Sequence, residues 1–190
     1  MRKAAVCVLT MLLLLTGCKA GAGGDKAQEL ALAIRAEYLA LENWTANCTI
    51  TADYGQRIYE YGVTAAQVGE NLTLTITRPE TAAGISARIA GEQGKLEYEG
   101  TILETGPLDG DGLTPVSALP ALLKAAREGY MDSCTLEETL MVLCRDPERR
   151  PGEGTETSLW FDPDTHALLR GEIALDGFTV IRCEIEDFVR

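Results

Sequence analysis

The chain has 190 residues, with 17 basic and 29 acidic side chains, a single histidine and a formal charge of −12. So acidic a surface repels nucleic acid and anionic headgroups, because binding either depends on clustered Lys and Arg; nucleic acid is excluded as a partner. The length suits one domain whose core is large enough to fold without covalent staples.

The N-terminus opens Met1-Arg2-Lys3, runs uncharged from Ala4 to Leu15 and leaves through Thr16 and Gly17 to Cys18. This is the layout of a bacterial export signal, and the uncharged run is shorter than the ~18 to 20 residues that span a bilayer. Leu15-Thr16-Gly17-Cys18 resembles the lipobox of bacterial lipoproteins. That resemblance implies cleavage before Cys18 and a lipid on its thiol, with two or more acyl chains making the attachment durable. Residues 1–17 are therefore expected to be a signal peptide, residues 18–25 a lipidated cysteine and flexible tether, and residues 26–190 one extracytoplasmic domain. The Gly-rich run Lys19 to Gly24 has the composition of such a tether.

From Asp25 to Asn43 the spacing of Leu30, Ile34, Tyr38 and Leu41 predicts an amphipathic helix, with Asp25 as its N-cap. The period then changes to two. Leu72, Leu74 and Ile76 alternate with threonines, Ile85, Ala87 and Ile89 with Ser86 and Arg88, and Leu96, Tyr98 and Ile102 continue the pattern. With turn signals at Tyr54-Gly55, Gly69-Glu70-Asn71, Arg78-Pro79-Glu80 and Gly91 to Gly94, residues 44–103 read as an antiparallel meander of about five strands, apolar on one face.

Gly106 to Gly112 reads as a loop, and Thr114 to Tyr130 as a second helix with Val116, Leu119, Leu122, Leu123 and Ala126 on its apolar face and a kink or restart at Pro120. Five further strands follow, at 134–136, 140–144, 156–161, 167–175 and 178–188. Asp162-Pro163-Asp164-Thr165 suits a type I turn, and Asp176-Gly177 is the strongest short hairpin signal in the chain. Helix, meander, helix and meander together predict an α+β fold, a large curved antiparallel sheet with helices covering its concave, apolar face.

Four cysteines remain beyond Cys18. Cys134 could meet Cys144, and Cys48 could meet Cys183, if their strands are neighbours; otherwise the four pack as free thiols. Without a CxxC or a Cys/His cluster, a zinc site is not expected, and no cofactor is implied. His166, the sole histidine, sits beside a turn, so Ser-His-Asp or Cys-His chemistry would rest on that one position. Asp109-Gly110-Asp111-Gly112 starts like a calcium loop but lacks its later ligands. The expectation is a protein that is not an enzyme.

Three stretches carry a further resemblance: Arg78-Pro79-Glu80 through Ile85, Tyr98-Glu99-Gly100 through Leu123, and Leu159-Trp160-Phe161-Asp162-Pro163-Asp164-Thr165. Across residues 27–188 the chain resembles the lipoprotein-carrier domain, the LolA/LolB-like half-barrel, although Ala167-Leu168 stands where that family has a proline after the last turn. Among lipid-anchored members it looks most like the germination lipoproteins of endospore-forming bacteria. The resemblance implies two functions. One is a scaffold or regulator for a protein partner in the envelope, with a spore-cortex amidase as the case the family suggests. The other is binding or transfer of a hydrophobic ligand, lipid or acyl chain, in a cavity lined by Trp44, Leu72, Leu74, Ile76, Leu96, Tyr98, Leu119, Leu122, Leu123 and Trp160. The first is favoured, because permanent anchoring through Cys18 opposes a shuttle. Tyr54, Tyr59 and Tyr61 are candidate contact residues for a partner.

Overall fold

The computed structural model describes residues 22–91, 93–106 and 111–190. The export segment, Cys18 and the dipeptide Asp109-Gly110 lie outside the described residues. Helix α1 spans Ala22–Leu39. It begins before the expected start, so Asp25 lies in its first turn rather than at its cap. It also stops earlier than its periodicity suggests, because Asn43 and Trp44 already pair with Val68 and Gln67 in a sheet. Ala27, Ala31, Ile34 and Tyr38 form its buried stripe, and the two alanines permit close approach to its neighbours.

Six strands follow, not five: β1 (Asn43–Asp53), β2 (Ile58–Val68), β3 (Asn71–Arg78), β4 (Ser86–Ala90), β5 (Gln93–Tyr98) and β6 (Thr101–Gly106). The extra strand arises at Glu99-Gly100, where two positive φ angles of 49° and 80° close a two-residue turn between Tyr98 and Thr101. That turn resets the alternation. Leu96 pairs with Leu103 and Glu97 with Ile102, so Ile102 lies on the face opposite Leu96 instead of continuing its row. After helix α2 (Pro115–Glu128) come β7 (Met131–Leu136), β8 (Leu140–Arg145), β9 (Thr155–Phe161), β10 (Leu168–Leu175) and β11 (Phe178–Val189).

All eleven strands form one open antiparallel sheet in the order β6-β5-β4-β3-β2-β1-β11-β10-β9-β8-β7. Two meanders thus meet at a single seam, where β1 pairs with β11. One apolar row crosses the first meander through Ala46, Ala65, Leu74, Ala87, Leu96 and Leu103, each directly opposite the next. Ile181, Cys183 and Ile185 of β11 and Leu140, Val142 and Cys144 of β8 extend the same buried face across the second.

Helix α1 packs on β7 and β8, and α2 on β1, β9, β10 and β11. Thr114 caps α2: its hydroxyl accepts from Ser117 N while Ser117 Oγ accepts from Thr114 N, a capping box completed by Pro115 in the first turn. Pro120 neither breaks nor restarts the helix, which runs continuously to Glu128. Leu119, Leu122 and Leu123 are fully buried against the sheet. A Cβ on Gly171 would stand 2.5 Å from Leu122 Cδ1, so the absence of a side chain on β10 is what lets α2 sit directly on the strands. The two helices also cap one another. Arg35 of α1 donates to Ala126 O and Gly129 O at the end of α2, and Arg127 of α2 donates to Tyr38 O and Leu41 O at the end of α1. Each guanidinium satisfies carbonyls that a helix terminus leaves without partners and meets the negative end of the dipole.

Candidate functional site

The residues expected to line a cavity divide into three groups. Trp44, Leu72, Leu74, Ile76, Leu119, Leu122 and Leu123 are buried. Trp44 stacks on Phe188 at 5.7 Å and donates from Nε1 to Gln67 Oε1 at 2.7 Å. Leu72 and Leu123 also line an open groove of about 580 Å³ beside Gly69, Pro120 and Arg127. Leu96 is half-buried, and Tyr98, near the sheet edge, is 44% exposed. Trp160 corrects the expectation outright. Leu159 and Phe161 point into the core, so strict alternation turns Trp160 to the opposite face, where the Arg170 guanidinium lies 4.9 Å above its ring.

Beside that tryptophan Glu172 bridges two arginines, accepting from Arg170 Nη2 and from Arg182 Nε. Partial burial pushes its carboxyl upward, but the hydrogen bonds and charges of Arg170 and Arg182 outweigh this and hold its pKa below the usual glutamate value. A folded-state pKa depressed below the unfolded one contributes stability that is complete above the unfolded value of ~4.3 and is lost as pH falls through the folded value. Urea unfolding between pH 6 and 3 should therefore show stability falling on acidification, with a shallower fall in Glu172→Gln.

His166 is engaged in structure. Its Nδ1 lies 2.8 Å from Glu37 Oε1, its backbone is left-handed at φ 59°, and its carbonyl accepts from the Tyr38 hydroxyl at 3.1 Å. Glu37 also receives Arg190, whose Nη2 donates to Thr165 O. The cluster ties the end of α1, the β9–β10 turn and the C-terminal residue together. Burial raises the Glu37 pKa, and the His166 and Arg190 contacts more than reverse that rise. Among the described residues no group of three or more His, Cys, Asp or Glu is placed to hold a metal ion.

The four described cysteines are free thiols. Cys48 lies opposite Ile185 and Cys183 opposite Ile50, one diagonal step apart across the β1–β11 seam; Cys134, opposite Val142, stands in the same relation to Cys144. Diagonal neighbours in a sheet are ~7–8 Å apart at Cα, beyond comfortable disulfide reach. Cys183 rests against Cys48, and that hydrogen bond together with burial raises its pKa. Burial pushes the Cys144 thiol up to about 11.

A second groove, of about 540 Å³, lies at the far end of β1 from Trp44 and is lined by Asp53, Tyr54, Leu113, Leu175, Phe178 and Val180 among others. Tyr54, Tyr59 and Tyr61 follow one another beside it, Tyr54 tilted against Tyr59 at 6.1 Å and Tyr59 stacked on Tyr61 at 6.5 Å. Tyr59 and Tyr61 face the same side as their partners Ala52 and Ile50, and Tyr61 is half-buried there. Sequence reasoning marks these tyrosines but misses Leu175 and Phe178. The available signal is Asp176-Gly177 itself, since apolar residues flanking a two-residue turn stand at the sheet's rim.

No helix among the described residues is long and apolar enough to cross a membrane. No family model matches the sequence, and a search of curated proteins finds no match either. Solved structures do match. An uncharacterized conserved protein from Thermus thermophilus is 11% identical, with 87% of each chain covered and a TM-score of 0.52. A chain in the structure of the CwlD amidase from Clostridioides difficile in complex with the GerS lipoprotein is 12% identical, covering 86% of this chain and 95% of that one at a TM-score of 0.51. A LolA superfamily protein from Nitrosomonas europaea is 12% identical, covering 88% of this chain and 93% of that one at a TM-score of 0.45. At such identities what is shared is the fold, and the chain has the fold of the first two proteins over nearly all of its described length.

Proposed function

We propose that this protein is a lipid-anchored, extracytoplasmic scaffold or regulator that acts through a protein partner and performs no chemistry of its own. On this reading residues 1–17 are removed, Cys18 carries the lipid, the tether expected over residues 18–25 is shortened because α1 already begins at Ala22, and the working domain runs from that helix to residue 190. The observation that carries it is that α1 and α2 pack onto the apolar face of β1 and of β7 to β11. Leu119, Leu122 and Leu123 are used up as core, and Leu122 packs directly on Gly171 of β10, leaving no gap between α2 and that strand. The sole histidine is committed to a structural tie. A cell-wall amidase is the partner to examine first. A chain of this fold is found in the CwlD–GerS complex, and the sequence resembles germination lipoproteins.

A second reading, binding of an acyl chain, is favoured by one feature only: the open groove beside α2 whose floor includes the buried Leu72 and Leu123. The scaffold reading is tested by mixing the protein with the cell-wall amidases of its own bacterium. The expected result is a complex with a dissociation constant of ~1 μM or tighter and a change in amidase activity on peptidoglycan. Hydrolysis of peptidoglycan or a lipid ester by the purified protein alone, at about 1 s⁻¹ or faster, contradicts it.

A further inference from the structure

The groove at the far end of β1 is built, not incidental. Phe178 is 78% exposed and Leu175, opposite it, 37%, two large apolar side chains left open on one rim of the groove. Both sides of the groove are fixed. The Tyr54 hydroxyl donates to Leu113 O at 2.9 Å, locking the β1–β2 turn to the segment before α2. Across from it, Asp176 and Gly177, at φ 50° and 80°, form the two-residue turn that places Leu175 opposite Phe178. The tip is pinned to the β8–β9 loop by two bonds: Gly154 N to Asp176 Oδ1 at 2.8 Å and Asp176 N to Gly154 O at 2.9 Å. An apolar rim held in advance loses little freedom when it is covered.

The charge at this site is one-sided. Asp53 lines the groove, Asp176 stands in the turn between Leu175 and Phe178, and no Lys or Arg is among the described lining residues. Arg57, in the β1–β2 turn, directs its Nη1 to the Tyr59 hydroxyl. We infer that this groove is the docking surface for a partner protein segment bearing an apolar anchor side chain flanked by Lys or Arg. The anchor fills the space between Tyr54, Leu113 and Phe178, and the cations meet Asp53 and Asp176. A fatty acid is the poorer occupant because its carboxylate would face Asp53. The inference rests on the scaffold reading and gives that scaffold its contact face.

The test holds the full chain in phosphatidylcholine nanodiscs and measures binding of two capped hexapeptides, Lys-Lys-Phe-Leu-Lys-Lys and Glu-Glu-Phe-Leu-Glu-Glu, against empty discs. The cationic peptide should bind at least tenfold more tightly than the anionic one. Phe178→Ser should weaken it tenfold or more, and Asp53→Asn about threefold; both positions lie outside the buried core, so the variants should fold. Equal binding of the two peptides, or binding indifferent to Phe178→Ser, overturns the inference. So does competition by monopalmitoylglycerol at the peptide's own concentration, which would make the occupant an acyl chain. An amidase that binds wild type and Phe178→Ser equally leaves the scaffold standing and overturns this face alone.

Discussion

Tyr38→Ala should lower the stability of the protein by about 4 kcal/mol, the middle of the range for loss of a buried aromatic. Tyr38 is fully buried, edge-on to Phe161 at 5.4 Å and stacked on Phe188 at 5.8 Å. Truncation opens a cavity where α1, β9 and β11 converge. It also removes the hydroxyl that accepts from Leu168 N and donates to His166 O. Tyr38→Phe separates the two contributions. It keeps the ring and leaves the buried Leu168 N–H without its partner, at a cost of about 1–3 kcal/mol. Urea midpoints at constant slope would measure both. Against a total of ~5–15 kcal/mol, the alanine variant should be largely unfolded under mild denaturing conditions. If it kept its wild-type midpoint, Tyr38 would not be the residue on which the packing of α1 turns.

Gly171→Val should cost about 3 kcal/mol, the upper part of the range for forcing added carbons into a packed core. The first of those carbons would lie 2.5 Å from Leu122 Cδ1 and 2.6 Å from Cδ2, and Leu122 has no exposed surface into which to retreat. Leu122→Ala alone should also destabilise, by about 2–5 kcal/mol through the cavity it leaves. Combined, the two changes should cost less than their sum, because the valine fills part of the space the leucine vacates. Additive costs would mean that α2 has room to shift above β10. That room would weaken the case against an acyl-chain cavity.

Much of this architecture is legible in the sequence because its signals are local. Period-two alternation locates β3 and β4, Asp176-Gly177 fixes the last hairpin, and Thr114 with Pro115 marks the start of α2. Failures come where a distant contact decides the outcome. The end of α1 is overridden by the pairing of Asn43 and Trp44 with β2. Glu99-Gly100 conceals a turn because glutamate seldom adopts positive φ, and the missed turn puts Ile102 on the wrong face. Trp160 joins the cavity on hydrophobicity alone, although its own neighbours Leu159 and Phe161 set the parity that sends it outward. The reciprocal arginine caps and the pinned rim around Phe178 join residues far apart in the chain, which no local pattern can reveal.

Native mass spectrometry of the full-length protein, gently extracted from cells, tests the closed core most directly. If Leu119, Leu122 and Leu123 fill the space between α2 and the sheet, the protein carries no mass beyond its polypeptide and whatever is covalently attached at the proposed lipidation site, Cys18. A further lipid-sized mass, held in the native spectrum and lost on denaturation, would contradict the account and make the sheet a container for an acyl chain.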